Sequence, residues 1–168
     1  MSRTKVEVYI EQMDFARQET IKAANAVPES ARLYQPAPGR PTPLWLLGHL
    51  GNSVNTVIIR YAVQGESAFP KEWAKVFAPD FTGGTPPSTD ASMYPPYDEV
   101  IALYDNAMQK AAAALGTLTD EDLGKPLPAN LPDAIRAFFP TIGATLNRMI
   151  GHDAYHRGQM ALLGKLGG

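Results

Sequence analysis

The chain contains three histidines, His49, His152 and His156, and the last two stand four residues apart in GHDAYHRGQM, near the end of an apolar segment. On a helix that spacing projects the two imidazoles from successive turns of one face, where both can reach the same cation. Thr145, Met149, His152, His156, Gln159 and Leu163 advance by alternating steps of four and three residues, which makes one continuous helical stripe. His49 lines up at similar spacing with Trp45, Asn52 and Thr56. A third nitrogen from a facing helix would complete a set of three neutral ligands and leave at least one coordination position for water or substrate. The competing reading is a pair of partly exposed or hydrogen-bonded core histidines. Two imidazoles buried together need partners for both ring nitrogens, whereas coordination satisfies one nitrogen of each at once.

Other chemistries fit these residues less well. HDAYH differs from the zinc-protease signature H-E-x-x-H only in Asp153, but the aspartate is one methylene shorter than the general-base glutamate. The third protease ligand normally follows further along the chain, and RGQMALLGKLGG after His156 holds neither an acid nor a histidine. No G-x-S-x-G elbow is present, which argues against a serine hydrolase. The chain has no cysteine, so disulfides, thiolate ligands and a cysteine nucleophile of its own are excluded.

Four segments with apolar residues at three- and four-residue spacing must position these groups, and stretches rich in proline and glycine separate them. This pattern predicts an all-α fold. The first helix is expected from Thr4, in capping-box spacing with Glu7, to about Val27-Pro28, with Val6, Ile10, Met13 and Ala16 inward. A second is expected from Thr42-Pro43 to about Val63, stopped by Gly65. A third runs from about Tyr97 to Leu115, with Val100, Leu103, Ala107, Ala111 and Ala114 as its stripe and Gly116 at its end. The fourth opens near Thr141 and continues to Leu166. Thr119 to Leu123 reads as a single turn.

The stretch from Glu66 to Pro96 has six prolines and is far longer than the ~2–8 residues that usually join antiparallel helices. It can cross the bundle, allow the second and third helices to run parallel in an up-down-down-up arrangement, and cover one end as a lid. Alternatively it is a packed surface loop with Trp73, Phe77, Phe81 and Tyr94 at the core edge. LWLLGHLGNSVNTVIIRYAV carries one charge, Arg60, but His49, Asn52, Ser53 and Asn55 argue against a membrane span. Burial under the long loop or against a second copy explains it better, so a homodimer is expected.

The 168 residues suit one domain, 1–168, and 15 basic against 17 acidic residues without basic runs give no reason to expect nucleic-acid or membrane binding. The charged N-terminal segment is unlike a secretory signal, so a cytoplasmic location is the expectation.

Two stretches resemble a known family. RLYQPAPGRPTPLWLLGHLGNS is similar to the first signature of the DinB-like, or YfiT-like, superfamily of metal-binding four-helix bundles, and places His49 at its histidine. GHDAYHRGQMALLGKLG is similar to the second, H-x-x-x-H-R-G-Q, onto which His152, His156, Arg157, Gly158 and Gln159 fall. The resemblance covers nearly the whole chain. It implies one divalent metal, usually Zn or Ni, on three histidines in an up-down-down-up bundle that is often dimeric. Some members are metal-dependent S-transferases that use a low-molecular-weight thiol such as bacillithiol or mycothiol, one is a mycothiol-dependent maleylpyruvate isomerase, and others are labelled hydrolases. A small-molecule enzyme is therefore expected here, against the alternative of a non-catalytic, metal-stabilised binding module. Gln159 on the ligand stripe, Asn52 one turn after His49, and Arg148 one turn before His152 are the neighbours that could support ligands or substrate, while Asp153 and Tyr155 point to either side of the stripe.

Overall fold

The computed structural model describes residues 3–79 and 82–168; Phe81, expected at the core edge, lies outside them. The chain folds into helices α1 (Lys5–Asn25), α2 (Pro43–Ser53), α3 (Lys71–Val76), α4 (Tyr97–Leu115), α5 (Asp133–Phe138) and α6 (Ile142–Leu166). Among the described residues no strand occurs, and none of the helices there is long and apolar enough to cross a membrane.

The helix starts are the local chemistry expected of them. Thr4 and Glu7 form a reciprocal capping box, Thr42 accepts from the Trp45 amide ahead of Pro43, and Thr141 accepts from the Ala144 amide. Each satisfies an amide that the first helical turn leaves without a partner. The α1 start gains a distant partner as well, because the Asp120 carboxylate accepts from the Lys5 and Val6 amides at 3.0 and 3.1 Å. The turn before Leu123 is built in the opposite sense to a threonine cap: the Thr119 amide and hydroxyl both donate to the Asp122 carboxylate.

The second helix departs from its expected form. Ordinary α-helix ends at Ser53, and Val54–Ala62 continues in wider π-helical turns, with the Val63 amide donating to the Ile58 carbonyl at 3.0 Å. Gln64, and not Gly65, takes the left-handed conformation that ends it, with φ 54°. α3 and α5 form where only loop was expected; each follows a proline, and each starts with an acidic residue in its first turn.

α1 packs against α4 and α6, and α2 packs against the same two. Along α1 and α6 the contacts advance together, from Tyr9 with Gly143 to Thr20 with Asp153. Along α1 and α4 they run in opposite senses: Ala24 meets Tyr97, and Arg17 meets Asp105. α2 and α4 approach closely at Gly51, where a Cβ would lie 3.0 Å from the Tyr104 Cα. The apolar core draws on all four of these helices, with Met13, Leu47, Leu50, Tyr104, Ala111, Leu146 and Met160 inside it. Every residue of Pro43 to Asn52 is buried within one chain, so the apolar character of that helix needs no second copy to explain it.

Two stripes are shifted from expectation. On α4, Tyr104, Met108 and Leu115 are fully buried while Leu103 and Ala114 are half-buried. On α6 the expected stripe is buried at Thr145 and Met149 but only half-buried from His152 through His156 and Gln159 to Leu163, while Leu146, Asp153 and Met160 beside it are buried. The long segment carries Phe77 and Tyr94 into the core and leaves Trp73 half-buried.

Candidate metal centre

His49 sits in the middle of α2 on a bed made by Trp45, whose ring stacks on its own at 4.8 Å and 7°. Across from it, α6 presents His152 and His156 from successive turns. The His49 and His152 Nε2 atoms are 3.3 Å apart, the three ring centroids lie 4.4 to 5.2 Å from one another, and one ligand atom from each histidine falls within 4.8 Å of the other two.

Hydrogen bonds decide which nitrogen faces inward in two of the three rings. A carbonyl oxygen can only accept, so the His49 Nδ1–H donates to the Phe77 carbonyl at 3.0 Å and leaves its Nε2 lone pair turned toward His152. The His156 Nδ1–H donates to Gln159 Oε1 at 2.7 Å in the same way. His152 has no such arrangement: its Nδ1 is buried and has no hydrogen-bond partner. The Ser53 hydroxyl lies 3.4 Å from His49 Nε2 at the margin of the group.

Burial keeps all three rings uncharged at neutral pH. Desolvation, with repulsion from His156 and against the Phe77 bond, pushes His49 down to about 4. Desolvation followed by repulsion from His156 and His49 pushes His152 down to about 3. Desolvation lowers His156 also, opposed by its bond to Gln159. Neutral imidazole is the form that ligates a metal.

These residues fit a divalent cation. Two nitrogens bound at about 2.05 Å around a tetrahedral ion stand about 3.3 Å apart, which matches the 3.3 Å between the His49 and His152 Nε2 atoms. Within the protein's own atoms, an Nε2–H tautomer of His152 can donate to His49 Nε2, but its buried Nδ1 has no partner in either tautomer. The three-histidine group could therefore hold a metal ion. Its donor set is all imidazole, which suits Zn, Ni, Cu and Fe alike.

The other residues singled out in the sequence divide clearly. Gln159 touches a histidine directly. Asn52 does not: its Nδ2 donates to the Ala74 carbonyl at 2.9 Å, and its buried Oδ1 has no partner. Arg148 is exposed and lies over the Phe138 ring at 4.3 Å. Tyr155 is exposed, with its ring 5.0 Å from that of His156.

Asp153 is away from the histidines, as its angular position requires, but it is not idle. It is 3% exposed and accepts from the Thr20 hydroxyl at 2.8 Å and the Tyr104 hydroxyl at 2.7 Å, with Arg157 at 3.5 Å. Burial raises its carboxyl from the ordinary value, against those three partners. The sequence signalled a shorter acid in a protease-like motif, but nothing local identified its partners on α1 and α4. The Phe77 carbonyl left no sequence signal at all, because a backbone oxygen is common to every residue. Ser53, four residues after His49, could have been found by the same spacing that singled out Asn52.

No curated protein matches the chain. Residues 12–160 match the DinB superfamily, a span that opens within α1 and closes just past Gln159 on α6. Since the match takes in most of the chain and all three histidines, this protein belongs to the DinB superfamily.

Proposed function

We propose that the protein holds one divalent metal ion, zinc or nickel, on His49, His152 and His156, and is a metal-dependent enzyme of the thiol S-transferase type acting on small molecules. The observation that carries this reading is the set of three uncharged imidazoles whose ligand atoms lie within 4.8 Å of one another, with the outer nitrogens of two already engaged. A cation bound by neutral ligands keeps its full charge, which lowers the pKa of a thiol or water beside it. His49 is held by Phe77 and His156 by Gln159, so both rings are oriented before anything binds. His152 and His156 are only half-buried, which supports access for a small substrate from the α6 side. The chain has no cysteine, so the thiol would be a cosubstrate, and a cytoplasmic location suits one that must stay reduced.

The same proposal takes residues 1–168 as one up-down-down-up four-helix bundle, with 66–96 as the crossover between α2 and α4. The parallel run of contacts between α1 and α6, and the opposed run between α1 and α4, support it. Homodimerisation belongs to it too, supported by Tyr155, Leu162 and Leu166, which stay exposed on one face of α6. Light scattering that gives only the 18.2 kDa monomer would remove that part.

The test is elemental analysis after purification with Zn or Ni supplied, alongside His49→Ala, His152→Ala and His156→Ala and a panel of thiols and electrophiles. The reading expects one metal per chain, lost in each variant, and turnover that needs both metal and thiol. Wild type without stoichiometric metal sinks it. Turnover without thiol favours a hydrolase, and chelation that unfolds the protein, with no turnover in any pairing, favours a non-catalytic module.

A further inference from the structure

The end of α3 is held by side chains of α2. A helix leaves its last carbonyls without intrahelical partners, and each of the five carbonyls from Trp73 to Phe77 finds a donor. Trp73 and Lys75 accept from backbone amides: Phe77 donates to Trp73 at 3.1 Å, and Thr85 to Lys75 at 3.0 Å. The remaining three accept from α2: Ala74 from Asn52 Nδ2 at 2.9 Å, Val76 from Trp45 Nε1 at 3.0 Å, and Phe77 from His49 Nδ1 at 3.0 Å. Trp45, His49 and Asn52 are spaced by four and three residues, so the donors form one row on α2. Gly48 beside that row lets the two elements meet, because a Cβ there would lie 2.3 to 2.6 Å from carbons of the Phe77 ring. That ring is fully buried and stacks on Tyr94 at 5.8 Å.

We infer that Trp45 and Asn52 are positioning residues for the metal centre: by clamping α3 on either side of His49, they hold the Phe77 carbonyl where it fixes the Nδ1–H tautomer and leaves Nε2 free. The long segment between α2 and α4 is then a working part of the site, although none of its side chains ligates. An imidazole without such a partner exchanges between two tautomers, and only one of them offers Nε2 to a cation. This inference rests on the metal reading above, but the tautomer can be measured without metal.

The variants are Trp45→Phe, which keeps the ring stacked on His49 and removes only Nε1–H, Asn52→Leu, which removes Nδ2 together with the unpaired Oδ1, and the double variant. Long-range 15N–1H NMR of the metal-free protein reads the His49 tautomer, Co2+ titration reads affinity, and hydrogen exchange reads residues 71–77. Wild type is expected as the single Nδ1–H tautomer. In the double variant a tautomer mixture, faster exchange over 71–77 and affinity for Co2+ lower by about 10- to 100-fold are expected, the usual cost of losing a ligand's outer partner. Unchanged tautomer and affinity despite faster exchange would overturn the inference and leave the metal reading intact. If wild type takes up no Co2+, the functional reading fails, and the tautomer alone still decides whether the clamp orients His49. Should the double variant not fold, Trp45→Phe alone and Gly48→Ala, which displaces the Phe77 ring, carry the same comparison.

Discussion

Residues 152 and 153 are neighbours on α6, the first half-buried and the second buried, yet they stand in opposite conditions. Asp153 has three partners from α1, α4 and its own helix, and each hydroxyl that meets it is within 2.8 Å. His152 has a buried Nδ1 with no partner and an Nε2 that faces another Nε2. Unsatisfied buried polar atoms cost stability, so the two residues weigh on the fold in opposite ways. The Asp153 network is complete and ties helices together. The histidine group leaves His152 Nδ1 unpaired, and its three imidazoles are placed so that they could hold a metal ion.

Substitutions should separate the two regions. Asp153→Ala strands the Thr20 and Tyr104 hydroxyls in the core and should destabilise the metal-free protein by about 3 kcal/mol in chemical denaturation, with any bound metal lost only as the fold is lost. His152→Ala should do the reverse: Zn affinity drops by more than about 100-fold, beyond the cost of losing an outer partner, while the metal-free melting temperature stays close to that of wild type. If His152→Ala destabilises the metal-free protein as much as Asp153→Ala does, the two regions do not differ in kind.

Acid should act through the histidines. Their folded pKa values lie below the unfolded value, so the unfolded chain binds more protons and stability falls as pH drops through 6.5. The loss continues until about 4 for His49 and about 3 for His152. Between pH 6.5 and 5, His49 alone should cost on the order of 2 kcal/mol in the metal-free protein. The raised Asp153 carboxyl works in the opposite sense, because the folded state takes up its proton more readily. A metal-free protein equally stable at pH 6.5 and 5 would contradict the burial of these rings. Bound metal adds a proton-linked term of its own, since protonation competes with ligation.

Smaller effects test each region's support. Gln159→Leu removes the acceptor that orients His156 and should weaken Zn binding by about 10-fold with little change in melting temperature. Tyr104→Phe removes one donor to Asp153 and should cost about 1.5 kcal/mol while leaving Zn affinity unchanged. A Tyr104→Phe variant with impaired metal binding would show that the two regions are coupled through α6.

Much of this could be read from the chain. The four long helices were legible from apolar spacing, and Thr4, Thr42 and Thr141 marked three of their starts, because capping depends on residues within one turn. The pairing of His152 with His156 was legible for the same reason. The π-helical continuation after Ser53, α3 and α5 were not, since each is too short or too irregular to leave a repeating pattern. Asn52 was singled out for its place beside His49, and the structure turns its amide to α3 instead. Asp153 was read as pointing to one side of the histidine stripe, and that reading misses its part in the core.

By itself the sequence determined the helical periods, their caps, the imidazole donor set and the family, all of which depend on residue identity at short range. Only the tertiary structure decided that His49 meets His152 with 3.3 Å between nitrogens, that Asp153 faces Thr20 and Tyr104, and that a backbone oxygen at Phe77 sets the tautomer of His49. Those contacts join residues far apart in the chain, and their geometry follows from how the helices pack, which no local pattern encodes.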